Sequence, residues 1–211
     1  MIAALPLLLA IAMAPQPAAG GVAIDGRAVQ GVAKCLVARA PDNMRRWVAA
    51  DGPMLMYREA DTVSATTGCT AGETRIGDYW AFRGFLAEAL LLRDMQPGEQ
   101  PHWADAKAPT DIDEAFNWKN PDGRWSYMTN VVAECVAQSN AKGTLALLRT
   151  AVGSGDETQA LDGLRADVAS CRQRSRGFDG KITDDVLRAR VGLAAYELNI
   201  AVHGAAIGAV K

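Results

Sequence analysis

Four cysteines, two histidines and scattered carboxylates are the groups with which this chain could do chemistry. Cys35, Cys69, Cys135 and Cys171 contain no CxxC pair, so thioredoxin-type redox chemistry and zinc knuckles lack their ligand spacing. CxxCH is absent too, which removes covalent haem attachment. His102 and His203 are too few for a three-histidine zinc site, and HExxH does not occur. No GxSxG elbow, P-loop or GxGxxG stands anywhere in the sequence. On these grounds no cofactor and no metal is expected. His102 could act as a base beside Asp105, but a solvent-exposed loop histidine accounts for it more simply; His203 reads as surface or tail.

Carboxylates leave two chemistries open. Asp111, Asp113 and Glu114 offer oxygen ligands of the kind calcium takes, yet no glycine follows where an EF-hand loop requires one. Acids in the first turn of a helix explain them with less. Glu88 or Glu134, with these acids, could form the facing pair that glycoside hydrolysis needs. Against that stands a structural role for Glu88, which lies beside an apolar helix face, in a buried bond to Arg83 or Arg45. The aromatic residues pose a similar choice. His102-Trp103, Phe116, Trp118, Trp125 and Tyr127 gather in a polar stretch, while only Trp47 and Trp80 of the tryptophans lie elsewhere. Such side chains either seal a joint between helices or form a recognition surface; Trp103, Trp118, Trp125 and Tyr127 are the candidate binding residues.

The elements that would position these groups are helical. Val29, Val32, Cys35 and Leu36 recur at helical spacing, as do Met128, Val132, Cys135 and Val136, so each cysteine points into a packed face. A second helix follows each: one from Asn43 to Ala50, capped by Asp42 and stopped by Gly52-Pro53, and one from Lys142 to Val152, ended by Gly153. A third is clear only in the second half. There Ser154 and Glu157 have capping-box spacing before the stripe Leu161, Leu164, Val168 and Cys171. The corresponding stretch LMYREADTVSATTGC is richer in Thr and Ser. A fourth helix follows Asp78, with Phe82, Phe85, Leu86, Ala89 and Leu90 clustered, and its counterpart follows Thr183, with Leu187, Val191, Ala194 and Leu198. There is little sign of strand alternation anywhere. Between the halves, Asn-Pro-Asp-Gly at 120–123 reads as a turn.

The expected fold class is therefore all-α: two tandem helical repeats of about four helices each, joined by an irregular aromatic connector. The divisions are a signal peptide over 1–20, repeat 1 over 21–96, the connector over 97–125 and repeat 2 over 126–211. Residues 1–20 are apolar and uncharged and end in a Pro/Ala-rich stretch, which places cleavage near Ala19 or Gly20. The apolar run is shorter than the roughly 20 residues of a spanning helix and contains Pro6, so no stable membrane span is expected after cleavage. Export to an oxidising compartment, periplasmic or extracellular, turns an even number of cysteines into disulfides. Four cysteines allow three connectivities. The repeat favours Cys35–Cys69 and Cys135–Cys171, each closing a loop of about 35 residues worth on the order of 3–4 kcal/mol.

Across 211 residues, 49% hydrophobic and 22% charged, the composition is that of an ordinary globular protein with room for one sizeable core or two small ones. A net charge of -2 argues against nucleic acid as a partner. The one basic cluster, Arg172, Arg174, Arg176 and Lys181, reads as a solvated loop.

Two heptapeptides repeat across the halves, Arg83-Gly84-Phe85-Leu86-Ala87-Glu88-Ala89 and Arg188-Ala189-Arg190-Val191-Gly192-Leu193-Ala194, and so do Ala33-Lys34-Cys35 and Ala133-Glu134-Cys135. This pattern resembles uncharacterised exported two-repeat, four-cysteine helical proteins of alphaproteobacteria, of the sphingomonad type. The resemblance covers most of the mature chain and implies the fold, but brings no activity and no catalytic residues. The functional expectation is an exported, non-catalytic protein with a binding or structural role in the cell envelope and a protein or small-ligand partner. The competing readings are an envelope hydrolase with carboxylates near the connector, and a small-ligand binder between the repeats.

Overall fold

A computed structural model describes residues 26–50, 63, 67–69, 79–96, 98–104, 106, 121–175, 178 and 180–203. Among them the chain is all-helical, with seven helices and no strand. These are α1 (Gly26–Arg39), α2 (Pro41–Ala49), α3 (Tyr79–Asp94), α4 (Pro121–Ser139), α5 (Ala141–Leu148), α6 (Gly155–Arg174) and α7 (Asp184–His203). Two disulfides, Cys35–Cys69 and Cys135–Cys171, each span a Cα–Cα distance of 5.7 Å.

Several helix starts follow from local chemistry. Asn140 caps α5 by accepting a hydrogen bond from Gly143 N at 2.9 Å. Ser154 caps α6 by accepting from Glu157 N at 3.1 Å. Glu157 reaches back to Gly153 N at 2.6 Å, one residue before the cap, in a variant of the expected capping box. The helix expected to run to Val152 instead stops at Leu148, with Arg149 as its C-cap, so Gly153, at φ 73°, turns the chain in the α5–α6 loop and does not end the helix.

Two starts differ from the sequence expectation for one reason. Asp42 does not cap α2; the helix begins at Pro41, and Asp42 lies in its first turn. Likewise Pro121, Asp122 and Gly123, expected as a turn, form the first turn of α4, so helix begins inside the stretch assigned to the connector. Proline at the first helical position loses an N–H that would be unbonded anyway, and its fixed φ suits the helix. Proline plus Asp therefore opens these helices instead of breaking the chain. The eroded third helix of the first half falls almost wholly outside the described residues; Val63 and Thr67 are helical, and Thr67 Oγ1 donates to Val63 O at 2.6 Å.

The centre of the fold is the crossing of α3 and α7. A Cβ on Gly84 would sit 2.2 Å from Ala189 O, and one on Gly192 would sit 3.0 Å from Gly84 O. The two helices thus meet backbone to backbone, an approach open only to the smallest residues. Against α3 pack α1 and α2; against α7 pack α4 and α5, with α6 covering α4 and α5. One contiguous apolar core results, running from Val29, Met44 and Trp47 through Leu86, Leu90 and Val191 to Leu147 and Leu164.

Candidate functional site

Charged groups buried in an apolar core are costly unless every polar atom finds a partner, so they mark the place to look for chemistry. Where α1, α3, α7 and the α5–α6 turn converge, Gln30, Glu88, Glu157 and Arg188 lie almost wholly out of solvent. Arg188 donates from Nε to Glu88 Oε2 at 3.1 Å and from Nη2 to Glu88 Oε1 at 2.9 Å, a two-pronged pair. Its Nη2 also donates to Thr150 O at 2.9 Å. Its Nη1 donates to Glu157 Oε1 at 2.7 Å and to Thr150 Oγ1 at 2.9 Å. All five guanidinium donors are therefore used.

Gln30 completes the cluster. Its Nε2 donates to Glu88 Oε1 at 2.6 Å and to Thr150 O at 3.3 Å, and its Oε1 accepts from Val152 N at 3.2 Å. Arg27, at the rim, donates from Nε to Val152 O at 3.2 Å and from Nη2 to Gly153 O at 3.3 Å. Burial by itself would lower the pKa of Arg188. The hydrogen bonds and charge of Glu88, then those of Glu157, outweigh it and raise the pKa, so the guanidinium stays charged.

The expected structural role of Glu88 thus has a different partner from those anticipated. Arg83 donates to Val48 O at 2.8 Å and lies 3.8 Å from Glu197, while Arg45 holds Asp94 at 2.9 Å and Asp42 at 2.8 Å. Arg83 and Arg45 point towards the end of α2 and towards Asp94, away from Glu88, which faces α7 across the Gly84 crossing. The partner was visible in the sequence as the Arg that heads the second heptapeptide, one residue after Leu187 of the apolar stripe. Gln30 carried no comparable signal, since it belongs to none of the repeated motifs.

The aromatic candidates separate. Trp103 is fully buried and belongs to the core; its Nε1 donates to Asn199 Oδ1 of α7 at a long 3.5 Å. The segment that carries it is tied down where Gln138 Nε2 of α4 donates to Ala106 O at 2.5 Å. Trp125 and Tyr127 are half-buried on α4, and the Trp125 ring lies against the α6–α7 loop, 3.1 Å from where a Cβ of Gly180 would be. Trp118, Asp105, Asp111, Asp113, Glu114 and Phe116 lie outside the described residues. His102 is exposed, and His203 Nε2 lies 3.1 Å from Glu99 Oε1.

A second aromatic site was not anticipated. Trp80, 37% exposed, has the Arg190 guanidinium 4.9 Å and the Arg83 guanidinium 5.7 Å from its ring centroid. Arg190 also donates to Asn130 Oδ1 at 2.8 Å and to Ser126 Oγ at 3.0 Å. Among the described residues, no three His, Cys, Asp or Glu side chains gather as a metal site would need, and no helix is long and apolar enough to cross a membrane.

No protein-family model matches the chain, and no curated protein or solved structure does either.

Proposed function

We propose that this is an exported, non-catalytic helical protein that serves the cell envelope by binding or by structural support. The observation that carries the reading is the saturation of its buried charge. Glu88 accepts three hydrogen bonds from Gln30 and Arg188, and the remaining donors of Arg188 end on Glu157 and Thr150. A carboxylate paired with a guanidinium this deep in the core lacks the access that a general base or nucleophile needs. Two disulfides are compatible with an oxidising compartment, which supports export and a cleaved segment over residues 1–20.

The same reading takes the chain as two repeats. Its support is the matched order of elements: in each half a cysteine helix and a short second helix pack on one long helix, α3 or α7. Arg83 of α3 donates to Val48 O near the end of α2, and Arg188 of α7 donates to Thr150 O just past the end of α5. The equivalent residues Gly84 and Ala189 face each other at the crossing. Trp103 packs in the core beside Asn199 of α7, so any recognition by the connector would fall to its other aromatics.

The test is an assay of the purified protein against peptidoglycan and simple glycoside, ester and peptide substrates. No turnover is expected. Turnover that a single carboxylate substitution removes, with the thermal melt unchanged, would overturn the reading.

A further inference from the structure

The two disulfides sit in different chemical surroundings. In the second, Cys171 is fully buried, whereas Cys135 is only half-buried. Arg174 Nη2 lies 3.3 Å from Cys171 Sγ; Ser139 Oγ, 3.6 Å from the same sulfur, donates its one hydrogen to Cys135 O. A cation thus stands beside one of the two sulfurs. In the first, Cys35 is half-buried too, and among the described residues the polar atom beside buried Cys69 Sγ is a carbonyl oxygen, Thr67 O at 3.9 Å, which gives a thiolate no stabilisation.

Thiol–disulfide exchange is governed by which sulfur can be reached and by how well the departing sulfur carries negative charge. Both criteria select the same direction at Cys135–Cys171. We propose that this bond is a thiol-exchange site, with Cys135 Sγ the attacked sulfur and Cys171 Sγ the leaving one. An external thiolate RS⁻ forms a new S–S bond to Cys135. The Cys135–Cys171 bond breaks, and its electron pair goes to Cys171 as a thiolate that Arg174 stabilises. A second thiolate then attacks the R-group sulfur of the mixed disulfide, releasing RSSR and the Cys135 thiolate. The reductant is thus a thiol, supplied by a small molecule or a dithiol protein of the same compartment. The chain acts as its substrate, which needs no CxxC motif.

Two local effects oppose the thiolate. Cys171 stands in the last turn of α6, at the negative end of the helix dipole, and its burial disfavours charge. Cys171 O is satisfied by Ser175 N at 3.0 Å and Ser175 Oγ at 2.8 Å, which softens the first. Arg174 is the group left to offset the second, so the exchange rate depends on it.

The experiment exposes the folded, fully oxidised protein to 2-mercaptoethanol near neutral pH. Samples are quenched in acid at intervals, alkylated and mapped by peptide mass. Cys135–Cys171 opens first, with the mercaptoethanol adduct on Cys135 and the alkyl group on Cys171. Arg174→Gln slows that opening roughly three- to tenfold, and Arg174→Lys restores most of the rate, as expected where a cation stabilises the leaving thiolate. Opening of Cys35–Cys69 first or equally fast, an adduct on Cys171, or an unchanged rate in Arg174→Gln would each overturn the proposal. The wild-type map alone decides the first two, whatever the stability of the variant.

Discussion

The five N–H donors of Arg188 all end inside the fold, so losing that side chain strands two carboxylates at once. Breaking a buried pair by removing one partner costs about 3–5 kcal/mol, because the remaining charge is left without compensation. Arg188→Met should therefore lower the unfolding free energy by about that amount in urea denaturation. Glu88→Gln, which keeps a neutral acceptor for Arg188 and leaves Glu157 in place, should cost less. If Arg188→Met changes stability by under about 1 kcal/mol, the cluster is not holding the core. The sequence made the residue types of this cluster visible without its pairing. Glu88 stood out as an acid on an apolar helix. Its partner comes from a residue 100 positions away, and such a contact depends on the angle at which two helices cross. Neither helical periodicity nor spacing contains that angle. Arg83 and Arg45, nearer in sequence, were the natural expectation; the ends of α2 and α3 claim them instead.

At the scale of the helix, the α3–α7 crossing makes the sharpest demand on sequence. A methyl group on Gly84 would meet a backbone oxygen at 2.2 Å, and no side-chain rotation can relieve a clash with backbone. Gly84→Ala should destabilise the protein by about 3 kcal/mol, the upper part of the range for overpacking. Gly31 provides the control, since it lies in the middle of α1 and a Cβ there meets nothing within 4 Å. Gly31→Ala should stabilise by about 0.5–1 kcal/mol through helix propensity alone. Equal effects from the two substitutions would remove the case for backbone contact at the crossing. Helix faces and caps were largely legible: Leu161, Leu164 and Cys171 are buried as their spacing implies, and Ser154 caps α6. The starts at Pro41 and Pro121 were not, because Pro-Asp signals both a turn and a first helical turn. Only the downstream residues, by continuing a helical stripe or failing to, decide between the two.

For the whole molecule, the question is whether the two halves are separate modules or one body. The disulfides stay within each half, joining residues 34 and 36 positions apart, and so do nothing to connect them. The connection is made by α3 on α7, by the bonds from Gln30 and Glu88 to the second half, and by Trp103 buried against α7. The sequence indicated all-helical structure and the pairing of cysteines through its repeated spacing. Whether the core was single stayed open, since hydrophobic stripes show that a face is buried and not against which partner. A shared core with a saturated ionic centre should unfold as a unit, because exposing either half strands charge in the other. Scanning calorimetry of the oxidised protein tests this most directly. The expected result is one transition whose calorimetric and van't Hoff enthalpies agree. Two resolved transitions, or a calorimetric enthalpy well above the van't Hoff value, would contradict a single core built around Arg188 and Glu88.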